Sequence, residues 1–249
     1  MIKKVFIFSI VLGISACNET QDTSQKEPCE DNQLNRNQLL QLVKSYNDSP
    51  VPSNIKAIES ACVGKIKNFT SVFEGSEFNG DLKYWDLSSA TNLSKMFKNA
   101  QSFEGHGLES WDVSNVHTMY ATFDSAYLFN GKIGNWDTKS LIDATALFSS
   151  AHAFNQPIGN WNTSNVQDMS SMFSFTKVFN QDLNWDTSSV FSFAQMFYGS
   201  KSFNGNVSGF SVKQAADLSF MFSSAKSFNQ DLSDWDLEGV IDLRSYKED

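Results

Sequence analysis

The sequence predicts an α/β solenoid of about seven coils, and three observations predict it: a tryptophan that recurs every 24 to 26 residues, and two phenylalanine series that keep the same period. The tryptophan series runs Trp85, Trp111, Trp136, Trp161, Trp185, then Phe210 in its place, then Trp235. One phenylalanine series is Phe78, Phe103, Phe129, Phe154, Phe179, Phe203 and Phe228; the other is Phe73, Phe97, Phe123, Phe148, Phe173, Phe197 and Phe222. Three registered ladders in a chain of 249 residues with 22 Phe and 6 Trp require a core rebuilt once per repeat.

Each repeat is read as a short strand and a two-turn helix. The helix rests on apolar residues at i, i+3, i+4 and i+7, as in Leu93, Met96, Phe97, Ala100 and in Leu218, Met221, Phe222, Ala225; Met169, Met172, Phe173 and Thr176 keep the spacing with one polar member. Asn92, Thr118, Asp143, Asp168, Ser192, Asp217 and Asp242 precede these sets, and all are residue types that cap helix N-termini. A Phe-Asn turn comes next, and then a brief strand such as Ile133-Gly134-Asn135-Trp136 or Leu232-Ser233-Asp234-Trp235. A helix this short does not hold alone in water, so each coil has to stack on the next.

The N-terminal segment has a different character. Lys3 and Lys4, an apolar run from Val5 to Ile14, and Ser15-Ala16-Cys17 read as a signal peptide over residues 1–16. Ile14-Ser15-Ala16-Cys17 resembles the bacterial lipobox, which implies diacylation of Cys17 and a membrane-attached mature chain. Residues 17–32 are polar and acidic and are expected to be a flexible tether; residues 33–68, with Leu39, Leu42, Val43 and Tyr46 on one helical face and a break at Pro50-Val51-Pro52, are expected to form a helical cap. The solenoid then covers residues 69–243, and 244–249 form a charged tail. In an exported chain the remaining Cys29 and Cys62 are expected to pair, the alternative being two free thiols.

A net charge of −9 argues against nucleic acid as a partner, because phosphate backbones are bound by clustered Lys and Arg. Asn79, Asn130, Asn155, Asn180, Asn204 and Asn229 come directly after the first Phe ladder, with Glu104 as the exception, and are read as a structural column that satisfies turn amides. Asp86, Asp112, Asp137, Asp186 and Asp236 come directly after the tryptophans. A glycosidase-like carboxylate pair, or a cation held between the columns, is the functional alternative to turn formation; Asn162 and Ser211 replace two of the carboxylates, as turn formers can. His106, His117 and His152 fall at unrelated positions, and no nucleophile, phosphate-loop or metal motif is present, so no enzyme, cofactor or metal is expected. The informative residues are aromatics placed where the repeat should face water. They are Phe175, Tyr198 and Phe220 on three consecutive coils, with Phe191 just before a cap, and they form a candidate partner-binding patch.

The repeat resembles that of the BspA-like bacterial surface proteins, with Met-x-x-Met-Phe, Phe-Asn-Gln, Trp-Asp and Thr-Ser-x-Val elements. It is carried here by Met169-Ser170-Ser171-Met172-Phe173, Phe179-Asn180-Gln181-Asp182-Leu183 and Trp185-Asp186-Thr187-Ser188-Ser189-Val190. The resemblance spans about Phe69 to Leu243 and implies a leucine-rich-repeat-like solenoid on the cell envelope, at the outer membrane or cell surface, acting in adhesion. Departures occur at Glu104-Gly105-His106-Gly107, which carries an extra residue, at Leu183-Asn184-Trp185, which lacks one, and around Phe210. The expected function is a binding or adhesion module for a protein or glycan. The alternative is an envelope structural lipoprotein without its own ligand, with an envelope hydrolase working through the Asp columns ranked below it, and a monomer is expected.

Overall fold

The computed structural model describes Cys29 and residues 32–245. Two helices open the described chain, α1 over Arg36–Asp48 and α2 over Pro52–Glu59. Asn35 and Gln38 form a reciprocal capping box at the start of α1: the Asn35 side chain accepts from the Gln38 amide at 3.0 Å, and the Gln38 side chain accepts from the Asn35 amide at 2.8 Å. Leu39, Val43 and Tyr46 are the buried face, and Pro52 sits at the first turn of α2, where its missing N–H is not needed.

These helices cover the first coil. The Tyr46 ring meets Phe78 edge to face at 5.5 Å, its hydroxyl donates to the Glu77 carbonyl, and the Trp85 indole N–H donates to the Ile58 carbonyl at 2.8 Å. Cys29 and Cys62 are joined by a disulfide, and the Leu34 amide donates to the Cys62 carbonyl nearby.

From Asn68 onward the chain is a stack of coils tied by single parallel bridges. They run Asn68 to Asn92, Thr118, Asp143, Asp168, Ser192, Asp217 and Asp242 in turn. The residues expected as helix N-caps are therefore the bridge residues. Their side chains still accept a backbone amide, from the residue two positions on: Asp143 from Thr145 at 3.0 Å, Asp168 from Ser170 and Asp217 from Ser219 at 2.8 Å.

The segment after each bridge is not an α-helix. Among the described residues α-helix occurs only in the N-terminal cap, and the repeats hold one 3-10 turn, Leu108–Ser110. Counting the bridge residue as zero, the third and seventh residues of every complete coil adopt left-handed φ, between 52° and 68°; examples are Lys95 and Asn99, Ala146 and Ser150, Ser171 and Phe175. A right-handed helix cannot contain them. The result is a flat ribbon of consecutive turns. Amides at positions one, three, five and seven donate to carbonyls of the next coil at 2.7 to 3.1 Å, as Leu93, Lys95, Phe97 and Asn99 do to Thr118, Tyr120, Thr122 and Asp124. Amides at positions four, six and eight donate three residues back within the coil, as Met96, Lys98 and Ala100 do to Leu93, Lys95 and Phe97. The bridge side chain takes the amide at position two, so the ribbon from Leu93 to Ala100 leaves no amide unsatisfied.

The helical reading failed for a definite reason. Inward positions one, four, five and eight repeat every four residues, and over eight residues that pattern cannot be told from a period of 3.6. The expected strands are turns as well: the Trp136 amide donates to Ile133 at 3.2 Å and the Trp235 amide to Leu232 at 3.1 Å. Apolar residues three apart suit such a turn, where a strand would place them two apart.

The aromatic ladders fill the interior. Within a coil the two Phe rings lie nearly parallel, at 3.7 Å for Phe123 and Phe129 and 3.9 Å for Phe148 and Phe154. Between coils Phe97, Phe123, Phe148 and Phe173 succeed one another at 5.5, 5.8 and 5.6 Å. Trp85, Trp111, Trp136, Trp161 and Trp185 stack at 6.1 to 6.4 Å, Phe210 continues the column, and Trp235 ends it. Left-handed φ costs about 1–2 kcal/mol per non-glycine residue, while full burial of one large apolar side chain returns about 1.5–3 kcal/mol. With three buried rings against two strained residues per coil, packing decides the conformation.

Candidate functional site

The polar columns are spent on architecture. The Asn155 amide donates to Asn130 Oδ1, Asn180 to Asn155, Asn204 to Asn180 and Asn229 to Asn204, at 2.7 to 3.0 Å. Where Gln comes next, as at Gln156, Gln181 and Gln230, its amide group donates to the same Asn of the preceding coil. Asp86, Asp112, Asp137 and Asp186 each accept the backbone amide two residues on. The Ser114 hydroxyl and then its amide hold the Asp112 carboxyl below the ordinary carboxylate range; Ser188 does the same to Asp186, and the side chain of Lys139 to Asp137. Each of these carboxylates is thus engaged within its own turn, and Asp137 also pairs with the Lys139 ammonium at 2.8 Å.

The histidines are dispersed. His106 Nε2 lies 3.4 Å from a Glu104 carboxylate oxygen, His152 stacks on Tyr127 at 4.5 Å, and His117 lends its backbone to the bridge ladder. Burial, and then the charge of Lys177, lower the His152 pKa. Among the described residues no three His, Cys, Asp or Glu side chains converge on a point that would hold a metal.

Of the four aromatics singled out from sequence, the structure brings two together. Phe175, 51% exposed, meets Tyr198 edge to face at 5.1 Å, and its amide donates to the Tyr198 carbonyl. Gly199 permits this pairing twice over: its φ is +66°, and a Cβ there would lie 2.8 Å from the Phe175 ring. Phe220, partly exposed, lies under the Arg244 guanidinium at 5.7 Å. Phe191, 47% exposed, stands beside the bridge column, and no ring contact among the described residues joins it or Phe220 to the Phe175 pair. Phe175 and Phe220 occupy the left-handed positions seven and three, which face outward in a turn ribbon just as they would in a helix. Trp85, Trp111, Trp136, Trp161, Trp185 and Trp235 are all buried.

A cleft was visible in sequence only as a departure from the repeat. At Glu104-Gly105-His106-Gly107 the coil bulges and leaves a space of about 430 Å³, lined by Glu104, His106, Glu109, Leu128, Asn130 and Lys132. Gly105 has φ +93°, and a Cβ on it would stand 2.6 Å from the Gly131 Cα, so the two backbones touch where the coils of Gln156, Gln181 and Gln230 carry side chains. Cys17, the expected lipidation site, lies outside the described residues, as do most of the expected tether and residues 246–249 of the expected tail. Among the described residues no helix is long and apolar enough to cross a membrane.

The stacked rings and successive bridges define a repetitive, aromatic-rich protein. The chain belongs to the family described as Mycoplasma protein of unknown function, DUF285, which matches three times, over residues 40–158, 103–184 and 148–248. No curated protein and no solved structure matches the chain.

Proposed function

We propose that this chain is a lipid-anchored protein of the bacterial cell envelope, built as a leucine-rich-repeat-like solenoid of the BspA-like kind, that serves as an adhesion module for a protein or glycan. The observation that carries the reading is the Phe175–Tyr198 pair, large rings held at the surface of a stack whose backbone is fixed by its own hydrogen bonds. Rings displayed on a rigid frame lose little freedom on binding, which is what a recognition surface requires. The lipobox-like Ile14-Ser15-Ala16-Cys17 supplies the anchor in this reading.

Protease shaving of intact cells tests it. Loss of the folded domain from intact cells, together with release of a Cys17→Ala variant from the membrane fraction, is the expected result. Protection until the envelope is opened would overturn the adhesion reading and leave an internal structural role.

A further inference from the structure

Counting from the bridge, Lys177, Lys201 and Lys226 all stand at position nine, on three consecutive coils. Hydrogen bonds fix their register: Ser202 Oγ donates to the Lys177 carbonyl at 2.7 Å, and the Ser227 amide to the Lys201 carbonyl at 3.2 Å. All three side chains are exposed, and none forms an ion pair among the described residues, whereas Lys44, Lys83, Lys98 and Lys139 do. Coils joined by parallel bridges lie about 4.8 Å apart, so these like charges repel one another with no carboxylate interleaved.

Carboxylates are sparse around the middle lysine, Lys201, while Asp182 and Asp231 come five residues after Lys177 and Lys226 respectively. Between Asp186 and Asp217 there is no Asp or Glu at all, in a chain whose net charge is −9. Phe175 precedes Lys177 by two residues, and Tyr198 precedes Lys201 by three, so the ring pair, Phe175 exposed and Tyr198 half-buried, borders the column. Val178, 45% exposed, adjoins Lys177 and extends the apolar margin.

We infer that this strip, the lysine column with the Phe175–Tyr198 pair beside it, docks an acidic polysaccharide. The inference rests on the adhesion reading and names its ligand class. Charges repeated once per coil match a polymer with an anionic group on each sugar. A duplex presents a charge every ~1.7 Å, which three lysines on an acidic protein do not neutralise. The exposed Phe175 ring adds an apolar surface for the C–H face of a sugar, and a lysine's three ammonium donors suit a carboxylate.

The test measures binding of the full chain to polygalacturonate, with neutral dextran, single-stranded oligodeoxythymidine and phosphatidylglycerol vesicles as comparison probes. Lys177, Lys201 and Lys226 are changed together to Gln; Lys65, Lys67 and Lys213, exposed elsewhere, are changed likewise as the charge-matched control. The expected result is a loss of about tenfold or more, with a shallower salt dependence, in the strip variant alone. Phe175→Ser with Tyr198→Ser is expected to weaken binding while leaving the salt slope unchanged. Equal losses in strip and control variants, unchanged binding in the strip variant, or tighter binding of oligodeoxythymidine or vesicles than of polygalacturonate would each overturn the inference. Adhesion to cells is measured beside it: a strip variant that adheres as well as the parent sinks the strip and spares the adhesion reading, whereas a parent chain that neither adheres nor binds the polymer sinks both.

Discussion

The two ends of the stack are built differently. At the first coil α1 and α2 lie over the rings, the Trp85 indole finds the Ile58 carbonyl, and a disulfide closes the segment. At the last coil Ile241 is 85% exposed, Phe228, Leu232, Leu237 and Val240 are only partly buried, and the Trp235 indole N–H is buried without a partner among the described residues. Every coil between them borrows its cover from a neighbour. The contrast shows that the stabilising unit is the interface between coils, and that a terminal coil is as stable as whatever lies on its free face.

The sharpest way to break that contrast is to remove one ring from the middle and one from the far end. Phe148 contacts Phe123, Phe154, Phe173 and Trp161, and Phe148→Ala is expected to cost about 3–5 kcal/mol in urea unfolding. Phe228→Ala, from a half-covered site, should cost clearly less; equal losses would mean the free end is covered after all. Next in size is the closed end. Cys29 and Cys62 are 33 residues apart, and Cys62→Ser is expected to cost on the order of 3–4 kcal/mol by the loop-closure argument, with unfolding that begins at the cap. Hydrogen exchange would place that opening in residues 34–66, and protection undisturbed there would contradict it.

A finer comparison replaces an indole by a phenyl ring. Trp136→Phe deletes the bond from the indole N–H to the Leu108 carbonyl and should cost about 1–2 kcal/mol, whereas Trp235→Phe removes an unpaired buried donor and should be neutral or slightly stabilising. Phe210, already a phenyl ring in this column, stacks on Trp185 at 6.3 Å. Smaller still is the backbone strain, which is local and so should not depend on the end. Ala146→Gly and Ser224→Gly, at φ +53° and +59°, are each expected to gain about 0.5–1 kcal/mol, read as a rise in denaturation midpoint. A gain confined to one of them would show that the strain is coupled to packing.

The smallest effect is on pH dependence. The Asp112 and Asp186 carboxyls are depressed in the folded state, so their contribution is present above the ordinary carboxylate range and fades as pH falls through their lowered values. His152, depressed by burial and then by Lys177, acts in the same direction at higher pH: below the ordinary histidine range the unfolded chain takes up the proton first, and stability declines. A urea series from neutral to acid pH is expected to show a shallow first loss that His152→Gln removes.

Much of this was legible in the residues. The period, the three ladders and the helical face of Leu39, Val43 and Tyr46 come from spacing, and the residues after which each ribbon begins come from side-chain types that accept backbone amides, although they were read as helix caps and are bridge residues. The ribbon was not legible, because a repeat of four and a helical repeat coincide over two turns, and because Lys95, Gln195 and Phe220 are ordinary residues that give no sign of left-handed φ. Exposure of Phe175 and Phe220 was anticipated on a helical wheel that does not exist, since outward positions of wheel and ribbon coincide. Tyr198, at position six, needed its contact with Phe175 to become informative. The cleft at Gly105 appeared in sequence only as an insertion, and whether an inserted residue bulges into solvent or opens a groove depends on the coil beside it.

Because coils touch only their neighbours, the stack also has a mechanical character. A coil of about 25 residues occupies one layer when folded and about 80–90 Å when drawn out, so a chain held at its N-terminus and gripped on coils five to seven would lengthen in discrete layers under load. The disulfide keeps the loop from Cys29 to Cys62 out of that extension. Tension would be absorbed as stepwise slack, with force plateaus in an optical trap spaced by one coil.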